Sequence, residues 1–182
     1  MDSERADQSR PWLAVGLELN EVLQQVDGTA FTSFADAART HSGRWFFTGQ
    51  GRSGLSAQMG AMRLMHLGRE VHVLGDATSP SVRAGDALLV VSGSGTTPVS
   101  IGFTSIAREQ GALVFLVTAS PESPLAALSD HVLVAPVTQS HQLMGTLFEQ
   151  SALALLDAVA SSIAEQEPQS RDGMAHRHTN MQ

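Results

Sequence analysis

The sequence predicts an α/β fold in which helices cover both faces of a parallel β-sheet, and two observations support this prediction. Short apolar runs alternate with stretches of helical periodicity from residue 45 to residue 164. In addition, runs such as Ala87–Val91 and Leu113–Val117 are apolar at every position, which is typical of parallel strands buried on both faces. Strands that alternate with helices of roughly 12 to 15 residues favour parallel pairing.

The individual elements follow from the same periodicities. Residues 11–41 carry apolar side chains at helical spacing and predict one or two helices, with Asp27-Gly28 as a candidate break. Farther along, the pattern predicts strands at residues 45–48, 70–74, 86–92, 112–118 and 131–134, and helices at 53–67, 98–110 and 145–164.

The chain divides into one domain and two polar ends. Residues 12–164 are long enough for a single domain with a substantial core. Residues 1–11 are polar and charged, so we expect a flexible N-terminus and no secretory signal. Residues 165–182 lack periodicity and predict a disordered tail. His176 and His178 in that tail could bind a metal ion, but a solvated tail is the simpler interpretation.

Composition excludes several kinds of chemistry. The 182 residues include no cysteine, lysine or tyrosine, which removes thiolate nucleophiles, Schiff-base chemistry and the P-loop lysine. The net charge is −7 and the arginines are dispersed, so nucleic-acid binding is not expected. No apolar run reaches the roughly 18 residues of a membrane span. These features favour a cytoplasmic protein that binds neither nucleic acid nor membrane.

The first candidate ligand loop is Gly49-Gln50-Gly51-Arg52-Ser53-Gly54, which lies between a predicted strand and a predicted helix. Its glycine spacing fits a dinucleotide-binding turn, and Asp76 stands where such a turn has its acidic partner. The loop fits a phosphate-binding helix N-terminus equally well. Ser53 could also be a simple helix N-cap.

The second loop decides between these alternatives. Ser92-Gly93-Ser94-Gly95-Thr96-Thr97 follows the clearest strand and precedes Pro98, which suits the first turn of a helix. Glycines let backbone amides converge on an anion, and the hydroxyl groups supply further donors. A dinucleotide domain does not need this second cradle, whereas a phosphate monoester held without lysine does. We therefore predict a phosphate site and not a flexible linker.

Two further residue types could carry chemistry. Glu149 follows Gly145-Thr146-Leu147-Phe148 near the start of the last predicted helix. Its carboxylate either complements the helix dipole or acts as a partly buried general base. His66 and His141 are further candidates, although a lone histidine in a helix such as residues 62–68 is more often a packing or interface residue.

The strings GQGRSG, AMRLMHLG, GDATSP, GDALLVVSGSGTT and MGTLFEQSALALLDAV resemble the sugar isomerase (SIS) domain family over residues 12–163. Within that family they are most similar to the 6-phospho-3-hexuloisomerases. The resemblance implies a three-layer αβα sandwich with a five-stranded parallel sheet, a flavodoxin-like arrangement that holds no nucleotide. It also implies a homotetramer built as a dimer of dimers.

The resemblance further implies interconversion of D-arabino-3-hexulose 6-phosphate and fructose 6-phosphate, in the ribulose monophosphate route of formaldehyde fixation. The metabolic partner would then be 3-hexulose-6-phosphate synthase. Glu149 would be the base, and His66 would stand near the sugar in a site completed by a neighbouring subunit. The phosphosugar would be bound by two loops, through Gly51, Arg52, Ser53, Ser92, Ser94, Thr96 and Thr97.

Two positions depart from the family pattern. Thr96 stands where a glutamate is usual, which removes a negative charge beside the expected phosphate. Gln50 stands where a small residue is common between the glycines, so the sugar preference could be shifted. The change at Thr96 should not abolish anion binding.

The implied reaction requires only a positioned base. Moving a carbonyl between adjacent carbons proceeds through a cis-enediolate, and Glu149 could shuttle the proton between C2 and C3 without a metal or redox cofactor. Phosphate bound away from the reacting carbons would supply positioning energy. The competing hypotheses are a non-catalytic SIS module that senses a sugar phosphate, and an isomerase of another phosphosugar.

Overall fold

The computed structural model describes residues 10–181, and its architecture confirms the predicted α/β class. All strands are parallel, in the order β2-β1-β3-β4-β5. This order is that of flavodoxin-like sheets, in which the connections reverse direction between β1 and β3. The strands are β1 (Trp45–Gly49), β2 (Val71–Val73), β3 (Ala87–Val91), β4 (Leu113–Thr118) and β5 (His131–Val134).

Helices form the two outer layers. Side chains of α2, α3 and α6 pack on one face of the sheet with Trp45, Leu89 and Phe115, and α4 and α5 pack on the other face with Phe46 and Leu88. The helices are α1 (Pro11–Gln24), α2 (Gly28–Thr40), α3 (Arg52–His66), α4 (Pro98–Glu109), α5 (Pro124–Ala127), α6 (Thr146–Gln166), α7 (Pro168–Asp172) and α8 (Met174–Arg177).

The N-terminal region contains two helices with a break at Asp27-Gly28. Asp27 Oδ1 accepts hydrogen bonds from the backbone amides of Thr29 and Ala30, at 2.8 and 3.1 Å. An aspartate that caps a helix in this way satisfies amides that would otherwise lack acceptors. The cap therefore starts α2 where the sequence suggested a break.

Helix α6 is the central helix of the core. It has the length and hydropathy of a membrane span, but half of its most apolar window is buried inside the fold. Its buried side chains contact α2 and α3, and Leu156 lies against Gly60 of α3 so closely that a Cβ on that glycine would come within 2.8 Å of it. Its apolar composition is thus explained by packing within the protein.

The end of the chain differs from the predicted disordered tail. Residues 167–178, here called the C-terminal strap, contain α7 and α8 and fold back onto α3. Arg177 Nη1 donates to the carbonyl oxygen of His66 at 2.9 Å, and the rings of His66 and His178 stack at 5.4 Å. Arg69 pairs with Glu167 at 2.8 Å. An ion pair, a hydrogen bond to a backbone carbonyl and ring stacking hold the strap, which is why apolar periodicity did not predict it.

The predictions for residues 1–9 and for Gln182 lie outside the described part of the chain. Of the predicted flexible N-terminus, Arg10 is the N-cap of α1 and Pro11 is the first residue of that helix.

Candidate active site

The candidate site lies where the connections of the sheet reverse direction. β1 and β3 are neighbours, and the chain leaves β1 towards α3 and leaves β3 towards α4. In open parallel sheets such a point is the usual place of ligand binding. A cavity of about 350 Å³ occurs there, and Gln50, Ser53, Ser92, Ser94, Thr97 and Glu149 are among the residues that line it.

The glycine spacing of the first loop is explained by close backbone packing. A Cβ at Gly49 would lie 2.8 Å from the Gly54 nitrogen, and a Cβ at Gly54 would lie 2.7 Å from the Gly49 carbonyl oxygen. Gly51 adopts φ +57°, a conformation that favours glycine. The first and third glycines thus bring the start of α3 against the end of β1, and Gly51 makes the turn between them.

The dinucleotide interpretation gains no support from this geometry. Asp76, its expected acidic partner, follows β2 and is exposed, and it does not line the cavity. The loop instead contributes Gln50 and Ser53 to the cavity wall. The spacing shared with nucleotide-binding turns therefore reflects the packing of a strand against a helix.

The second loop is anchored through its carbonyl groups. The Gly93 carbonyl accepts hydrogen bonds from the Ala119 amide at 3.1 Å and from the Thr118 hydroxyl at 3.2 Å. The Gly95 carbonyl accepts from the Leu125 amide at 3.1 Å. Within the described chain, the amides of Gly93, Ser94 and Gly95 donate to no protein group. The loop is thus held from behind while its donors remain available to a ligand.

Ser94 is oriented as a donor by its neighbour. Its Oγ accepts from the Thr96 hydroxyl at 3.0 Å and from the Thr96 amide at 3.3 Å. Because a hydroxyl oxygen has two acceptor sites, these bonds leave the Ser94 proton free to donate to a ligand. Thr96 does not line the cavity, so its contribution to the site is made through Ser94.

Three helix N-termini meet at the cavity, and none carries a side-chain cap. The first turns of α3, α4 and α6 contribute Ser53, Thr97 at the N-cap of α4, and Glu149 with Gly145 at the N-cap of α6. Uncapped N-termini present free amides and a partial positive charge, and both attract anions. This arrangement supplies a local positive field in a chain whose net charge is −7.

Glu149 brings a carboxylate to the same cavity. Its side chain is 14% exposed, and its Oε2 accepts a hydrogen bond from Arg52 Nε in an ion pair. Its backbone carbonyl accepts from the Ser56 hydroxyl at 3.1 Å, which fixes α6 against α3. A Cβ added at Gly145 would lie 3.5 Å from Oε1, at ordinary van der Waals distance. The cavity thus combines donors for an anion with a fixed carboxylate.

Of the other residues predicted for the site, Gly51 and Arg52 do not line the cavity. Gly51 shapes the turn, and Arg52 reaches the site through its ion pair with Glu149. The sequence patterns did not predict a role for Ser123. This residue is the N-cap of α5, and its hydroxyl lies directly behind Gly95. Only the spatial fold brings α5 to this loop.

His66 is not part of this cavity within one chain. It is the last residue of α3, and Ser53 is near the first, so the two are separated by roughly 20 Å along the helix axis. Burial lowers the pKa of His66, and the neighbouring His178 and Arg63 lower that pKa further. The buried imidazole faces the C-terminal strap instead.

Known proteins are similar to this chain in sequence and in fold. A family model described as the SIS domain matches residues 40–162. The chain belongs to the SIS domain family. A 3-hexulose-6-phosphate isomerase from Mycobacterium gastri is 43% identical over 148 residues, which is 77% of this chain and 74% of that protein. One from Methylomonas aminofaciens is 37% identical over 159 residues, which is 82% and 84% of the two chains.

A solved structure extends this SIS domain comparison to the fold. The crystal structure of a Methanococcus jannaschii protein, for which a molecular function of 3-hexulose-6-phosphate isomerase was inferred, superposes with a TM-score of 0.81 at 27% identity. The match covers 95% of this chain and 99% of that one. These findings confirm the family and the three-layer fold that the sequence motifs implied.

Proposed function

We propose that this protein is a ketose phosphate isomerase that interconverts D-arabino-3-hexulose 6-phosphate and fructose 6-phosphate in the cytoplasm, within the ribulose monophosphate route. The observation that carries the proposal is the cavity in which a fixed carboxylate faces hydroxyl-bearing loops and uncapped helix N-termini. The names of the relatives from Mycobacterium gastri and Methylomonas aminofaciens support the choice of substrate.

In this proposal the phosphate group lies against the second loop. The Ser94 hydroxyl, the free amides of Gly93 to Gly95 and the start of α4 donate hydrogen bonds to it. Ser53 and Thr97 add hydroxyl groups from the neighbouring walls of the cavity. The Ser92 hydroxyl oxygen lies 3.5 Å from the Thr97 hydroxyl oxygen. Charge-assisted hydrogen bonds of this kind are stronger than neutral ones, so lysine is not required.

Glu149 is the base in the proposed mechanism. Its carboxylate removes the C2 proton beside the C3 ketone and returns it to C3 through a cis-enediolate, while the C2 hydroxyl proton passes to the C3 oxygen. Oε1 is suited to this transfer because Arg52 occupies Oε2. The phosphate, held at the opposite wall, fixes the distance between the reacting carbons and Oε1, and such positioning lowers the barrier.

The proposed assembly is a homotetramer, in which His66 of one subunit completes the site of another. An exposed apolar row on α3 supports self-association: Leu55, Met59 and Met62 are 59%, 45% and 47% exposed and occur at helical spacing. A row of this kind on a soluble domain is typical of an interaction surface. The proposed metabolic partner is 3-hexulose-6-phosphate synthase, which would supply the substrate.

The test is to incubate the purified protein with fructose 6-phosphate and the coupled synthase, and to compare wild type with Glu149→Gln. We expect wild-type turnover and a loss of at least about 10²-fold in kcat for the variant, since general base catalysis contributes that much or more. Full activity of Glu149→Gln would refute the assigned base. An inactive wild type whose melting temperature rises with sugar phosphates would support a sensing module instead.

Ser94→Ala tests the phosphate site separately. The variant loses the donor that Thr96 orients, and we expect KM for the phosphosugar to rise by roughly 10-fold. An unchanged KM would place the phosphate elsewhere. Ser161→Ala, at an exposed position of α6 that does not line the cavity, is the control and should leave both kcat and KM unchanged.

A further inference from the structure

The Arg52–Glu149 ion pair assigns Arg52 a role other than the phosphate contact that family resemblance implies. Arg52 is the first residue of α3 and does not line the cavity, and its Nε hydrogen-bonds Glu149 Oε2 from the solvent side. Its side chain is 61% exposed, whereas that of Glu149 is 14% exposed. The guanidinium therefore binds Oε2, whereas Oε1 accepts no hydrogen bond from the residues that the structure describes.

A contribution to folding stability is a weak explanation for the Arg52–Glu149 ion pair. Ion pairs with an exposed partner contribute little to folding because solvent screens them. Helices α3 and α6 are already joined by other contacts, including the Ser56–Glu149 hydrogen bond at 3.1 Å and the Arg63–Asp157 ion pair at 2.9 Å. A glutamate side chain has several rotatable bonds, however, and a base must hold one oxygen in line with the reacting carbon.

We propose that Arg52 is a positioning residue that holds Glu149 Oε2 and thereby presents Oε1 to the substrate for proton transfer. The inference rests on the proposed function in so far as Glu149 is the base. Arginine suits the role because its planar guanidinium fixes the direction of the bond, whereas a lysine ammonium provides only a point charge. The phosphate is then held by the second loop and the helix N-termini, without Arg52.

The test separates kcat from KM in Arg52→Gln and Arg52→Lys. If Arg52 positions the base, Arg52→Gln lowers kcat by roughly 10- to 100-fold while KM for the phosphosugar changes by less than about 3-fold. Arg52→Lys keeps the positive charge but lacks the planar guanidinium, so its kcat should lie between those of wild type and Arg52→Gln.

Asp157→Asn is the matched control, because it breaks an ion pair between the same two helices away from the cavity. It should leave kcat and KM unchanged. The inference is overturned if Arg52→Gln keeps kcat within about 2-fold of wild type, or if its loss appears in KM, as expected of a phosphate ligand.

A double-mutant cycle tests the pair without using activity. Melting temperatures of Arg52→Gln, Glu149→Gln and the double variant should be non-additive by roughly 1–3 °C if the pair forms in solution. Additive changes overturn the inference. If wild type proves inactive while the cycle is non-additive, the proposed reaction fails but the positioning of Glu149 by Arg52 stands.

Discussion

Gly95 provides a quantitative test of how the second loop packs against α5. Its φ is +62°, and a Cβ there would lie 2.0 Å from Ser123 Oγ and 2.4 Å from Ser123 Cβ. Gly95→Ala therefore combines a left-handed backbone, which costs roughly 1–2 kcal/mol for an L-residue, with overpacking, which costs about 1–3 kcal/mol. The sum is roughly 2–5 kcal/mol, or a fall in Tm of about 4–20 °C at 2–4 °C per kcal/mol.

Ser123→Gly separates the two contributions because it removes both clashing atoms. By itself it deletes the N-cap of α5, whose hydroxyl accepts from the Ala126 amide at 3.3 Å. Replacement of a serine cap by glycine costs only a few tenths of a kcal/mol. In Gly95→Ala/Ser123→Gly the overpacking is absent and the backbone strain remains, so the double variant should regain about 1–3 kcal/mol relative to Gly95→Ala.

The assay is urea and thermal unfolding at one pH and one protein concentration, since association makes Tm depend on concentration. Gly102→Ala is the control: this glycine lies in α4 with no atom within 4 Å of the added Cβ, so alanine should be neutral or slightly stabilising. Simple additivity of Gly95→Ala and Ser123→Gly would refute the contact between the second loop and α5.

Three further predictions concern the strap, pH and association. Arg177→Ala removes the donors to the carbonyls of His66 and Ser170; we expect a loss of about 1 kcal/mol and faster proteolysis within residues 167–178, and an unchanged cleavage rate would contradict the docked strap. His66 has a pKa lowered from 6.5 by burial, His178 and Arg63, so the unfolded chain binds more protons than the folded one just below that pH. Stability is therefore complete above about pH 6.5 and declines as pH falls through the folded pKa; Tm measured in that range should fall less steeply for His66→Gln, and parallel curves would refute the assignment. Met62→Glu should shift the protein to smaller species in light scattering without loss of secondary structure; an unchanged molar mass would exclude this face of α3 from the interface.

The sequence predicted the sheet well because its strands are buried on both faces. Such strands must be apolar at consecutive positions, and each predicted strand overlaps an observed one with ends that differ by no more than one residue. The break at Asp27-Gly28 was also predicted, because a helix N-cap requires particular residue types at one position. These features depend on neighbours along the chain, which a sequence displays directly.

Features that depend on distant contacts were missed. α5 has only four residues, too few for a periodicity, and its position behind Gly95 is visible only in space. The strap is polar and was predicted to be disordered, yet Arg177 fits between Gly68 and Gly173, where added Cβ atoms would lie 3.0 and 2.5 Å from its guanidinium. Composition cannot show that two glycines from separate segments leave room for one arginine.

The same contrast between local features and distant contacts explains which residues of the candidate site were predicted correctly to lie together. Ser53, Ser92, Ser94, Thr97 and Glu149 meet at one cavity, because residues that follow neighbouring parallel strands share one edge of the sheet. The roles assigned to them remain predictions. His66 was assigned by motif, and a motif records the order of residues along a helix but not the roughly 20 Å that its length places between its ends.

The proposed reaction requires one cavity to hold both a phosphate and a carboxylate base, and the arrangement of charges is compatible with this. Both groups are anions, so each needs its own source of positive potential, and the chain supplies no lysine. The second loop and α4 offer uncapped amides to the phosphate, while Glu149 has Arg52 and the start of α6. If both anions depended on one cation, phosphate binding would displace the base from its partner. Separate partners avoid this competition, and a substrate with its phosphate several bonds from the reacting carbons can contact both at once.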